Sequence, residues 1–230
     1  MFNHILNTFD FSQLQEVNFE GKRHYRVEGE LYPSITTILS AQKNEGLIRW
    51  KESIGIDVAN FETRRAANRG KIFHKIVEDY LNNKKTQDYK NNILSYGLFN
   101  LVKKEIDRVD NIHNLEVTLY SKKYKIAGRV DCIAEFDGIL SVIDFKSANR
   151  AKKEDQLTTH AIQETAYSIM WEEMTKTPIE QIVTIVTCEN GETQIIIEKP
   201  QFFIDKLESC IKDFQKLQKS FPNSLAELVS

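Results

Sequence analysis

Two aspartates and a lysine fall on what reads as one tight hairpin. Gly128-Arg129-Val130-Asp131 lies on its first strand and Val142-Ile143-Asp144-Phe145-Lys146 on its second. Between them Asp137-Gly138 is a strong signal for a two-residue turn. With that turn Phe136 faces Ile139, and pairing counted outward sets Asp131 directly opposite Asp144. Opposed residues hold their Cβ atoms roughly 4.5–5.5 Å apart, and like charges there repel. A divalent cation would compensate them, because two hard oxygen ligands at that spacing form part of a Mg²⁺ or Mn²⁺ site. Lys146 projects from the same face, since strand side chains alternate. Two acids and a lysine around a metal have the chemistry of phosphodiester hydrolysis. The competing reading is a solvated strand face on which Arg129 and Lys146 neutralise the two aspartates.

The elements that must position these groups are legible from periodicity. Residues 1–15 show little pattern and read as an arm, and 16–28 alternate around Glu20-Gly21-Lys22 as a small hairpin. Ser34 is an N-cap candidate for a short helix at 35–39. Helices are expected at 47–54, 57–82 and 91–110, and strands at 115–121, 124–136 and 139–147. A helix at 154–175, strands at 180–188 and 192–198 and a helix at 200–220 follow. No glycine-rich phosphate loop is present, so the pattern is an α/β core with a mixed sheet and not a doubly wound nucleotide fold. Three parts are expected within one structural domain: an arm and hairpin at 1–30, a helical wall or arch at 31–110 and a core at 111–230.

Further candidates lie on these elements. Ile72, Phe73, Ile76, Val77, Tyr80 and Leu81 form an apolar stripe with His74 at its edge and Glu78 one turn on. His74 is either a half-buried histidine paired with Glu78 or part of a site. Gly70, one turn earlier, costs about 1 kcal/mol in mid-helix and suggests close approach of another backbone or a ligand. Arg64, Arg65, Arg69, Lys71 and Lys75 form either a phosphate track or a solvated face. Gln163 and Tyr167 share a helix face. Glu116 pairs with Arg129 and faces the aspartates if Lys122-Lys123 is a two-residue turn, and faces away if the turn has three residues. Trp50, Phe61, Tyr96 and Phe99 are candidates for either base stacking or the core.

Composition narrows the classes. The chain has 230 residues and a formal net charge of −2, so no global basic field coats nucleic acid and any such binding must be local. Three separated cysteines without a C-x-x-C argue against an iron–sulfur cluster, a zinc knuckle or a disulfide framework, and for a reducing compartment. No run of 18 apolar residues occurs, so no membrane partner is expected. The first residues match neither a secretory signal nor a mitochondrial presequence. Richness in Lys, Asn and Ile suits an AT-rich bacterium or phage, giving a cytoplasmic location in a bacterial or phage-infected cell as the expectation.

In order and spacing, His74 after Gly70, Gly128-x-x-Asp131, Asp144-x-Lys146-Ser147 and Gln163-x-x-x-Tyr167 resemble the RecB-like branch of the PD-(D/E)XK nuclease superfamily. With Tyr32-Pro33-Ser34-Ile35-Thr36-Thr37-Ile38-Leu39, the chain looks most like the mitochondrial genome maintenance exonuclease type and its phage relatives, from about residue 31 to 200. The resemblance implies a restriction-endonuclease-like core, a mixed central sheet flanked by helices, with a helical N-terminal elaboration. It implies Asp131, Asp144, the Phe145 carbonyl and His74 around Mg²⁺ or Mn²⁺. Lys146 would orient the attacking water or stabilise phosphate charge. Gln163, Tyr167, Arg65, Arg69, Lys71 and Ser147 would contact nucleic acid, with Glu116 and Glu78 accessory. The four cysteines of iron–sulfur members are absent, and no helicase motif occurs, so a helicase, polymerase or single-strand-binding protein would be a separate partner.

The expected activity is a metal-dependent DNA exonuclease preferring single strands or free ends, in recombination, repair or degradation. The rivals are a structure- or sequence-directed endonuclease and a non-catalytic DNA-binding recombination module. Clustered acids where phosphate must sit argue against the module.

Overall fold

Alternating apolar residues after position 108 build a five-stranded sheet, and the helices before and after it cover its two faces. The structure is a computed structural model that describes residues 1–6, 11, 14–42 and 45–220. Three short strands come first: β1 (Gln15–Phe19), β2 (Lys22–Val27) and β3 (Glu30–Pro33) form an antiparallel meander. Its first turn is Glu20-Gly21, both at positive φ, as the sequence leads one to expect. Helix α1 (Ile35–Ser40) follows at once, because the Ser34 hydroxyl accepts the Thr37 N–H at 3.0 Å. Thr37 Oγ1 and the Ser34 N–H both donate to the Arg23 carbonyl, which ties this helix to β2.

Helices α2 (Glu45–Ile54), α3 (Ile56–Leu81) and α4 (Ile93–Ile106) make up the rest of the front half, with a 3-10 turn at Gln87–Asn91. The helix expected over 91–110 stops at Ile106, since Val109 already pairs with Phe136 in the sheet. That sheet runs β4 (Val109–Ser121), β5 (Ile126–Phe136), β6 (Ile139–Ala148), β7 (Gln181–Cys188) and β8 (Thr193–Glu198), in that order. All neighbours are antiparallel except β6 and β7, which are parallel and joined through α5 (Glu154–Thr175). A 3-10 turn at Pro200–Phe203 leads into α6 (Ile204–Ser220).

One face of the sheet packs Val130, Ile133, Val142 and Ile182 against α1, α5 and α6. The other packs Cys132, Ala134, Phe136, Ile143, Phe145 and Val183 against Phe73, Ile76 and Val77 of α3 and Leu98, Phe99 and Val102 of α4. Residues 1–6 lie along β4, with Ile5 N–H on the Ile112 carbonyl and Ile112 N–H on the Asn3 carbonyl, each 2.8 Å. Residues 7–10, 12 and 13 of the expected arm lie outside the described residues. Among the described residues no helix is long and apolar enough to cross a membrane.

The β5–β6 register follows the Asp137-Gly138 turn, from Phe136 opposite Ile139 to Cys132 opposite Ile143. Regular pairing ends there, one step short of Asp131 and Asp144. The β4–β5 register differs from both sequence alternatives: Ser121 pairs with Ile126, leaving a four-residue loop, and Arg129 lies opposite Thr118 and not Glu116. Leu115 faces Cys132 and Val117 faces Val130, so Glu116 lies level with Asp131. At this level both strands change faces. Leu115 and Cys132 belong to the α3/α4 side, whereas Val117 and Val130 belong to the α5 side. The residue between the first pair, Glu116, has φ +50°, a left-handed conformation that costs an ordinary side chain on the order of 1 kcal/mol.

Candidate active site

The face change gathers the ligands. His74 of α3, Glu116 of β4 and Asp131 of β5 each present one ligand atom, all within 4.8 Å of one another. His74 Nδ1 is 3.4 Å from Asp131 Oδ2, and the same oxygen accepts the Phe145 N–H at 3.0 Å. Asp131 thus spans the gap where β5 and β6 part, by a side chain-to-backbone bond in place of the ladder. Glu78, weighed as the partner of His74, bonds Lys75 instead at 3.0 Å, because that lysine lies one turn away on the outer face.

Asp144 lies outside that trio. It is 2 % exposed, and its partner is Lys146, whose ammonium stands 2.5 Å from both oxygens and donates to Oδ1. Oδ2 is buried and has no hydrogen bond of its own. Beside this pair the structure adds an acid that the sequence reading did not single out. Glu164 of α5 is 1 % exposed, and its Oε1 accepts the Thr184 hydroxyl at 2.5 Å. The available signal was its position one helical turn after His160 in a segment otherwise rich in buried residues.

Burial dominates the electrostatics. It pushes the Asp131 carboxyl up, and the Asp144 charge adds to this, while His74, Lys146 and the Phe145 N–H pull it back. Glu116 is pushed up to about 7, by burial first and by Asp131 next. Glu164 is driven well above the carboxylate range by burial and then by Asp144. Burial pulls the Lys146 ammonium down, but Asp144 and Asp131 outweigh it and hold its pKa above the ordinary lysine value. The site carries more acid than its cations offset.

That excess and three donor atoms within one ion's reach fit a divalent cation. His74, Glu116 and Asp131 could hold it.

The other expected residues divide. Tyr167 is buried and accepts a 3.2 Å hydrogen bond from Gln163 Nε2. Its ring lies over Gly128, where an added Cβ would meet Tyr167 Cε1 at 2.7 Å and Ile35 Cγ2 at 3.2 Å. The motif glycine is needed there because only a bare backbone fits under the tyrosine. Gly70 is less crowded: a Cβ added there would lie 3.8 Å from Ser147 Oγ, an ordinary contact. Arg69, expected along a phosphate track, is buried at 6 % exposure and bonds Asn149 Oδ1 at 2.6 Å, Ser147 and Glu189. Its place on α3 faces inward, four residues before Phe73, where Glu189 at the end of β7 meets it. Arg65, one turn earlier, is shared between Glu62 and Glu189. Lys71 is exposed on the opposite face. Of the aromatic candidates, Phe99 is core, Tyr96 packs against it, and Trp50 and Phe61 are exposed.

A family profile described as the PD-(D/E)XK nuclease superfamily matches residues 90–229. Mitochondrial genome maintenance exonuclease 1 of Homo sapiens is 27% identical over 151 residues, 61% of this chain and 44% of that protein. Its counterpart in Mus musculus is 28% identical over 128 residues, 52% of this chain and 38% of that one. That of Xenopus tropicalis is 26% identical over 158 residues, 64% and 44%. The chain therefore spans less than half the length of these relatives. A crystal structure from Eubacterium rectale covers 66% of this chain and 68% of its own at 10% identity, with a TM-score of 0.46.

Proposed function

Given that the chain belongs to the PD-(D/E)XK nuclease superfamily, we propose that it is a divalent-metal-dependent DNA exonuclease acting on single strands or free ends. The observation that carries this reading is the joining of two groups at one strand divergence. A histidine and two carboxylates with ligand atoms within 4.8 Å lie beside a buried Asp144–Lys146 pair. A carboxylate-rich pocket repels phosphate unless a cation is present, so it serves hydrolysis better than binding alone.

When bound, Mg²⁺ or Mn²⁺ supplies Lewis-acid neutralisation of the phosphoryl oxygens and activates water. His74, Glu116 and Asp131 would hold it, with Asp144 and the Phe145 carbonyl as further ligands in this reading. Lys146 stays protonated, because its acid neighbours outweigh its burial, and it orients the water and offsets charge gathering on the phosphate. The water oxygen bonds phosphorus and gives up a proton to solvent, the bridging P–O bond breaks, and the departing oxygen takes a proton from solvent. Gln163 and Tyr167 brace the wall beside Gly128. Residues 31–110 guide the strand past Lys71, with Trp50 and Phe61 as stacking faces. Residues 111–230 form the nuclease core. A role in repair, recombination or DNA degradation, with unwound DNA supplied by a partner, follows the same reading.

Linear and closed circular single strands of one sequence, incubated with Mn²⁺ or with EDTA, test the exonuclease assignment. Loss of the linear form alone, and only with metal, is the expected result. Cleavage of the circle would favour the endonuclease.

A further inference from the structure

Beyond the candidate metal trio, the α5 side of the site holds, among the described residues, a lysine with no carboxylate partner and a histidine whose buried Nε2 has no hydrogen bond. Lys152 lies on the loop between β6 and α5. Gln194 of β8 grips its backbone from both sides: the Lys152 N–H donates to Gln194 Oε1 at 2.6 Å, and Gln194 Nε2 donates to the Lys152 carbonyl at 3.2 Å. This double clamp fixes where the side chain starts. Lys152 is half-buried, yet among the described residues no carboxylate pairs with it. Burial, then Lys146, hold its ammonium below the ordinary lysine value, with Arg69 contributing in the same sense.

His160 projects from α5 one turn before Glu164. Its Nε2 is buried with no hydrogen-bond partner. A buried polar atom left unpaired is destabilising, so a ligand that pairs it is favoured. Burial, the Lys146 charge and Lys152 lower its pKa to about 4, against the pull of Asp144, so the ring is neutral near pH 7. A neutral imidazole can donate one N–H without adding charge.

Two of the nearby cations are already matched: Lys146 is paired with Asp144 and Arg69 with Glu189. Among the described residues Lys152 is left without a carboxylate, clamped on Gln194, which lies opposite Val186 and through it next but one to Lys146. His160, with its unpartnered ring nitrogen, lies one turn before Glu164, whose partner Thr184 lies opposite Asp144. We infer that Lys152 and His160 form a second phosphate subsite, which holds a backbone phosphate flanking the one being cleaved. This assignment rests on the nuclease reading above. It makes both groups binding residues with no part in the bond-breaking step.

The test measures binding of end-labelled single-stranded DNA by fluorescence anisotropy in Ca²⁺, across a salt series, for the full chain and its Lys152→Gln, Lys152→Arg and His160→Ala variants. Lys152→Gln should weaken binding about tenfold and flatten the slope of log affinity against log salt by about 0.7, the loss of one phosphate contact. Lys152→Arg should keep the slope, and His160→Ala should weaken binding without changing it. A single methylphosphonate at a linkage flanking the scissile one should weaken wild-type binding and add nothing to Lys152→Gln. Equal slopes and affinities for wild type and Lys152→Gln, or additive losses in that cycle, would overturn the subsite. Because wild type is assayed alone for cleavage with Mn²⁺, failure of the nuclease reading appears separately, as intact DNA.

Discussion

At the scale of single residues the account turns on acids placed where they resist ionising. Glu116 ionises at about 7 in the folded chain and near 4.5 when unfolded. The folded state therefore binds its proton more tightly, and the stability this confers is present below about 4.5 and lost as pH rises through about 7. His160, neutral down to about 4, acts in the opposite sense between 4 and its unfolded value of roughly 6.5. Glu116→Gln isolates the first effect. Melted in EDTA, the variant should match wild type near pH 5 and exceed it near pH 8; a constant difference across that range would contradict the assignment. Wild type at pH 8 should regain the lost stability on adding Mn²⁺. In the proposed ligand set the histidine favours Mn²⁺ over Mg²⁺, since the harder Mg²⁺ binds imidazole nitrogen more weakly. Calorimetric titration should find Mn²⁺ bound more tightly, with the gap narrowed by His74→Ala. Equal affinities in wild type would remove His74 from the ligand set.

At the scale of elements, the site depends on how β4, β5 and α5 meet. Gly128→Ala forces a Cβ to within 2.7 Å of the Tyr167 ring, so α5 must shift or the ring must turn. Overpacking of this kind costs about 1–3 kcal/mol, a melting point lower by several degrees. The second change Tyr167→Ala should recover part of it, and additivity of the two would show that they do not touch. Ser34→Ala removes the cap that starts α1 and should cost about 1 kcal/mol. What the sequence disclosed follows the range of each interaction. Asp137-Gly138, at φ +53° and +79°, makes the β5–β6 register readable, because a two-residue turn fixes pairing locally. The four-residue loop at 122–125 fixes nothing locally, so neither the level of Glu116 nor its left-handed backbone was legible. His74 could be read on its helix face, but periodicity could not bring it to Asp131, far along the chain on another element; only the family resemblance put the two together. The same holds for Arg69, whose basic flank suggested a phosphate track while its partner Glu189 lies 120 residues on. Glu164 and His160 had the spacing of a shared face, but only packing shows that they are buried beside Lys146.

For the whole molecule, a net charge of −2 means that attraction for DNA must arise from local features. In the proposed reading a cation held at the strand divergence, with Lys152 beyond it, supplies them; α3 brings His74 to one side of that point and α5 brings Glu164 and His160 to the other. The front helices carry Trp50 and Phe61 exposed, outside the packed core. In the proposed reading the two halves have different tasks. The sheet holds the chemistry, and the front helices admit the strand, so Phe61→Ala should weaken binding of single strands by about 1–3 kcal/mol while leaving the metal-binding isotherm unchanged. The most direct test of the central claim is release of end label from linear single-stranded DNA in Mn²⁺, comparing wild type with Lys146→Met and Asp144→Asn under single-turnover conditions. The account predicts metal-dependent cleavage by wild type and a loss of at least about a hundredfold in both variants, with DNA binding retained. Undiminished cleavage by either variant would contradict it.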